Sequence, residues 1–213
     1  MKKTTLTVPA ESSYVEAFAA EARVSGRAVA ELRVAEPGTT TAAPERPDGA
    51  PPELPWCPLS FASARAAIVE AETSLGGSLD ELVVFADPPA DLAAIADLTP
   101  KAIERAALEW AAGYAELIRE AARRFVEKGR GAIVLVVAQS ERGPLGAMAA
   151  GALLGLAEGI LASGAGSFRF LAIKDESGQP DAVARQVLKT LDDTGRDPGK
   201  VQRFGGRPGF FGR

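Results

Sequence analysis

Two kinds of segment alternate along the chain. Short apolar runs at 79–86 (LDELVVFA) and 132–138 (AIVLVVA) are rich in Val and Ile and bounded by glycine or polar residues. They predict strands buried on both faces. Further β-prone runs stand at 4–8, 27–34 (RAVAELRV), 167–173 and 200–204. Between them, longer segments predict helices at 14–24, 60–75, 100–128, 145–163 and 180–192. Their ends carry the expected signals. Ser12 and Ser13 can cap the first helix, Gly26 follows it, Gly76 and Gly77 close the second, and Thr99 with Pro100 opens the third. Strands that alternate with helices imply a parallel sheet with helices on both faces and right-handed crossovers. Segment 36–55 is crowded with Pro, Gly and Thr and reads as a flexible loop. No internal repeat stands out, and one domain spanning 1–213 is expected.

The helix at 145–163 is unusual. It contains Gly146, Gly151, Gly155 and Gly159, each costing about 1 kcal/mol relative to alanine. The last three are spaced four apart and share one face. Something pressed against the backbone would account for them. Tight packing on the chain's own sheet and helix packing across a subunit interface both fit, and the sequence leaves the two open.

Composition narrows the chemistry. The chain has 213 residues and is 46% hydrophobic, enough for one sizeable core. A net charge of −4 argues against a nucleic-acid binder. With no histidine, His triads, His metal ligands and the usual near-neutral proton shuttle are excluded. The single cysteine, Cys57, excludes a disulfide framework and a cysteine-rich zinc site, so no metal is expected. A buried structural role for Cys57 is the expectation. The first residues show no apolar leader, and the longest uncharged run, 143–157, is short and glycine-rich for a membrane span. A cytoplasmic soluble protein is the reading.

Several phrases, in order, resemble the short-chain dehydrogenase/reductase family, especially its ketoacyl-reductase-like branch. SLDELVVFADPP is similar to the fourth-strand phrase, GRGAIVLVVAQ to the strand before the catalytic serine, and AAGALLGLAEGI to the helix after Tyr-x-x-x-Lys. PDAVARQVLKTLDD followed by GKVQRFGG resembles the closing helix and strand. The resemblance covers nearly the whole chain. It implies a Rossmann-like three-layer α/β/α fold, shortened, with a mostly parallel sheet of about seven strands.

The family's functional positions carry other residues here. Its phosphate-loop glycines fall on Pro9, Ser13 and Val15. Its strand-four Asn-Ala-Gly falls on Phe85, Ala86 and Asp87. The asparagine of the proton relay falls on Trp110, the serine near Ala138 with Ser140 close by, and the tyrosine and lysine on Gly146 and Ala150. The chain's two tyrosines, Tyr14 and Tyr114, are followed four residues later by Phe18 and Ile118 rather than lysine. A tyrosine without that cation stays near its ordinary value, about 10, and is a poor proton shuttle at neutral pH. The run IKDESGQPDAVA also passes from strand to last helix with no room for the family's substrate lid.

On this resemblance the expected function is that of a non-catalytic structural or regulatory subunit, no enzyme by itself. It would belong to a hetero-oligomeric NAD(P)-dependent short-chain dehydrogenase. The active paralogue would hold NAD(P) and carry hydroxyl/ketone oxidoreduction, with acyl-thioesters a plausible substrate class, and this chain would bind no cofactor. The alternative is a homo-oligomeric pseudoenzyme that binds a small ligand or a regulatory partner. A third reading is a residual enzyme using Asp87, Tyr114, Ser140 or Lys174. Expected interface residues are Trp110, Tyr114 and Ile118 on the long helix, the stripe Gly151, Gly155 and Gly159, and Phe210 and Phe211 in the tail. No nucleic acid and no membrane is expected as a partner.

Overall fold

A computed structural model describes residues 2–38, 49–88, 93–138, 143–193, 195 and 199–205. Seven strands form one sheet: β1 Thr4–Val8, β2 Ala28–Val34, β3 Glu53–Trp56, β4 Glu81–Ala86, β5 Ala132–Ala138, β6 Arg169–Asp175 and β7 Gln202–Phe204. Their order is β3-β2-β1-β4-β5-β6-β7, and every pair is parallel. The order reverses between β1 and β4, the switch point at which doubly wound sheets bind ligands.

The helices are α1 Ser13–Val24, α2 Phe61–Ser74, α3 Pro100–Ala106, α4 Gly113–Lys128, α5 Pro144–Ser163 and α6 Pro180–Asp192. They form two layers because the strands alternate. Leu6, Val8, Leu82, Val84, Ile133 and Leu135 point toward α2, α4 and α5. Val83, Phe85, Val134, Val136, Leu171 and Ile173 point toward α1 and α6. The central strands β4 and β5 are buried throughout, as their unbroken apolar runs require.

Two expectations change. The segment 36–55 is not loop throughout: Glu53–Trp56 forms edge strand β3 on β2, with Glu31 opposite Glu53 and Val34 opposite Trp56. Leu54 and Trp56 alternate inward, while Pro55, which has no N–H to give, is tolerated at an edge. Residues 39–48 lie outside the described ones. The helix expected at 100–128 is interrupted by a π-helical turn, Ala107–Ala112. Gly113 sits just past that turn because α4 crosses close to Pro58. A Cβ at Gly113 would stand 2.5 Å from the Pro58 carbonyl oxygen.

Candidate functional site

The carboxyl ends of the strands form the edge at which this fold places its chemistry. Four parts of the chain meet there: the β1–α1 turn, the end of β4, the π turn and the first turn of α5.

The β1–α1 turn is folded on itself. The Ala10 N–H donates to the Leu32 carbonyl at 2.7 Å, and the Ser12 N–H donates to the Pro9 carbonyl at 3.0 Å. The Ser12 hydroxyl accepts from the Tyr14 N–H, and the Ser12 carbonyl accepts from Val15 and Glu16. These amides therefore already have partners, whereas a dinucleotide pyrophosphate needs a row of open ones at a helix N-terminus. Glu11 also stands in the turn, its carboxyl raised by burial and by nearby Glu53 despite backbone hydrogen bonds. Ser13 is exposed and Val15 is fully buried in the α1 core. Together Pro9, Ser13 and Val15 do not fit a pyrophosphate.

Beyond the turn an aromatic group fills the α1 side of the edge. Tyr14 stacks on Phe85 with ring centroids 5.9 Å apart, and Phe18 packs on Phe85 at 5.7 Å. The Tyr14 hydroxyl donates to Asp175 Oδ2 at 2.7 Å. Asp175 is buried at the end of β6, where Oδ1 accepts from the Ser177 N–H and hydroxyl. This link from α1 to β6 was not read from the sequence. The only signal was the Asp-x-Ser turn at 175–177, which fixes the carboxylate locally but does not name a partner 161 residues away.

On the other side, Trp110 and Gly146 line one cavity of about 190 Å³ with Pro88, Arg105, Leu145 and Ala149. The structure thus brings together two of the family's catalytic positions. Ala138 ends β5, and Ala150 lies one turn further into α5, both buried. The cavity's charges are Arg105 and Glu109, joined at 3.0 Å, with Arg105 also reaching Glu36.

The residues of the residual-enzyme reading are dispersed. Asp87 follows β4, and Lys174 pairs with Glu176 at 3.0 Å. Ser140 lies outside the described residues. Tyr114 is buried against Trp56 and Trp110, at 5.0 and 5.5 Å. Burial, with Glu11, Glu109 and Asp87 nearby, pushes its hydroxyl far above the ordinary tyrosine range. Cys57 is a buried free thiol. Among the described residues no group of three or more His, Cys, Asp or Glu could hold a metal ion.

The interface residues divide. Gly151, Gly155 and Gly159 are exposed, and a Cβ at each would meet nothing within 4 Å. Packing on the chain's own sheet is therefore not their reason. Tyr114 does not reach the surface, because its ring is sandwiched inside the core. Ile118 is 3% exposed and contributes only to the floor of a groove between α4 and α5. Trp110 faces the cavity described above. Phe210 and Phe211 lie outside the described residues. By length and composition α5 is the one helix among the described residues that could cross a membrane, yet it packs one side on β5 and β6.

A doubly wound parallel sheet with this order is a Rossmann-type α/β fold. More specifically, the chain has the fold of the short-chain dehydrogenases/reductases. A short-chain dehydrogenase from Mycobacterium smegmatis superposes with a TM-score of 0.76 at 17% identity, covering 97% of this chain and 92% of that one. One from Streptomyces avermitilis gives 0.74 at 17% identity, covering 96% and 89%. A gluconate 5-dehydrogenase from Burkholderia cenocepacia, solved with NADP and tartrate, gives 0.70 at 17% identity, covering 96% and 94%. No family model matches the sequence. No curated protein matches it either. These neighbours correct one expectation. The chain was read as no enzyme by itself, but the proteins that share its fold are dehydrogenases, so that reading is not supported.

Proposed function

We propose that this chain is a subunit of an oligomeric NAD(P)-dependent short-chain dehydrogenase that interconverts a hydroxyl and a ketone. The observation that carries this reading is the outer side of α5. Its glycine stripe has no neighbour among the described residues, and it borders an apolar groove of about 590 Å³ lined by Phe61, Ala115, Ala122, Leu156, Ile160 and Phe168. Three glycines on one side of a helix let a second helix approach closely, and the groove beside them receives its side chains. The partner is a second short-chain dehydrogenase chain, and the oxidoreduction is the work of the assembly.

NAD(P) in that assembly is held by the partner subunit. The closed β1–α1 turn, with Glu11 in it, supports this assignment. The acyl-thioester substrate class rests on the phrase-level resemblance to ketoacyl reductases. The buried reduced cysteine is in keeping with the cytoplasm.

The test is purification of the tagged chain from its own cells, followed by mass measurement and sequencing of whatever remains bound. A stoichiometric short-chain dehydrogenase chain, with NAD(P)-dependent activity in the complex, is the expected result. A larger mass made of this chain alone would replace the hetero-oligomer with self-association. A stable monomer would sink both.

A further inference from the structure

The opposite edge of the sheet, at the amino ends of the strands, holds a second cavity, of about 330 Å³. Its charged walls are Lys2, Lys3, Arg130, Arg169, Asp80 and Glu81. The two carboxylates are already engaged. Glu81, 3% exposed at its side chain, accepts from Arg27 Nε at 2.8 Å, from the Thr5 hydroxyl at 2.8 Å and from Lys3 at 3.0 Å. Asp80 accepts from Lys128 at 2.6 Å and from the Thr4 N–H at 3.1 Å. Burial works against its charge, but the Lys128 bond and those from Thr4 hold Asp80 below the usual carboxylate range.

The cations are in excess. Arg27 also bonds Asp192, and Arg169 reaches the Thr190 and Leu191 carbonyls at the end of α6 at 3.3 and 3.4 Å. Among the described residues the five cations Lys2, Lys3, Arg27, Lys128 and Arg130 thus meet the three carboxylates Asp80, Glu81 and Asp192, in a chain of net charge −4. Arg130 and Lys2 have no acidic partner among the described residues, and both stand at the cavity mouth. The Arg130 main chain is fixed by its N–H bond to the Phe125 carbonyl, 3.1 Å, so its side chain starts from a defined point.

We propose that this cavity is a binding site for a small phosphate-bearing anion, held by Arg130 and Lys2 with Lys3 and Arg169 on its walls. The volume lies at the lower end for small-molecule sites, about 300 Å³. A guanidinium fork matches two phosphate oxygens at once, and an ammonium adds a point charge. A carboxylate ligand brings one charge, whereas a phosphomonoester or diphosphate brings two or more to the same cations. The site lies at the end of the sheet away from the dehydrogenase edge, so it is independent of the function proposed above.

The experiment is calorimetric titration of the full chain with inorganic diphosphate at fixed ionic strength, repeated with glycerol phosphate as an ester. Saturable binding of one anion per chain is expected. Arg130→Gln should weaken it at least tenfold, Lys2→Gln less, and Arg119→Gln, on the exposed side of α4, should leave it unchanged. Diphosphate alone binding points to an inorganic ligand, and both probes binding point to an ester; each supports the site. Circular dichroism checks that the exposed substitutions leave the fold intact. No saturable binding at millimolar anion, or an affinity that Arg130→Gln does not change, overturns the proposal.

Discussion

Helices α1 and α6 cover one face of the sheet with their apolar sides and turn charged sides to solvent, whereas α5 on the other face is apolar on both sides. In α6, Val183, Ala184, Val187 and Leu188 are buried, while Asp181, Arg185 and Lys189 are exposed. In α5, Ala149, Ala150, Leu153 and Ala157 are buried. The outer side presents Ala147, Met148, Gly151, Ala152, Gly155 and Gly159, with Glu158 the helix's sole charge. An amphipathic helix is complete once one side is covered, while a helix apolar all round belongs between two surfaces. The α1/α6 layer is therefore finished within one chain, whereas among the described residues the outer side of α5 stays uncovered.

The largest effect should come from the finished face. Phe85 is 1% exposed and holds both Tyr14 and Phe18. Phe85→Ala should lower stability by about 3–5 kcal/mol. Chemical denaturation measures the loss, and light scattering should show no change of mass in whatever remains folded. A loss of assembly with stability unchanged would mean that this face, too, is shared.

The open face should behave the other way. A Cβ at Gly155 would meet nothing within 4 Å among the described residues, so helicity and monomer stability should hold in Gly155→Leu. Overpacking of the shared contact should cost about 1–3 kcal/mol at each copy, and the mass should fall. Gly113→Ala is the foil: its Cβ would collide with Pro58, so it should destabilise the fold itself. If Gly155→Leu keeps the wild-type mass, the contrast between the faces loses its functional meaning.

A smaller effect belongs to the link that closes the carboxyl edge of the sheet. Tyr14→Phe keeps the ring on Phe85 but leaves Asp175 Oδ2 without its donor. The expected cost is about 1–3 kcal/mol, read as a lower denaturation midpoint with no change of mass. A neutral substitution would show that water reaches Asp175 and that the edge is open.

Legibility of the sequence followed the same divide. Strands β4 and β5 and helix α6 declare themselves because an unbroken apolar run or a clean helical stripe has one physical solution. The glycine stripe was visible too, but a groove does not name what fills it. Strand β3 was hidden because Pro55 and the surrounding Pro/Gly run mimic a loop, and only its pairing with β2 makes Leu54 and Trp56 legible. At the site, the positions Pro9, Trp110 and Gly146 came only from the family resemblance. The Tyr14–Asp175 bond could not be read, because nothing local couples the start of α1 to the end of β6. Tyr114 looked like a surface aromatic on a helical face until the core claimed it through Trp56.

The smallest expected effect tests whether the two faces, so different in the middle of their helices, are pinned alike at their ends. Asp192 ends α6 and pairs with Arg27, which is held by Glu81 at the start of β4. Lys128 ends α4 and pairs with Asp80 just before the same strand. The Arg27 bond holds the Asp192 carboxyl below its ordinary range, against burial, and Lys128 does the same for Asp80. A carboxyl whose folded value lies below its unfolded one adds stability that is complete above the unfolded value. That stability disappears as pH falls through the folded value. Both pins should therefore hold at neutral pH and release in the acid range, below about pH 4. Both pairs are partly open to solvent, so each should contribute under about 1 kcal/mol. Asp80→Asn and Asp192→Asn should each flatten the acid limb of the stability–pH curve by a similar small amount, measured by urea denaturation across the range. If Asp192→Asn flattens it and Asp80→Asn does not, α4 is held by its packing alone, and the unfinished face is also the one with the looser end.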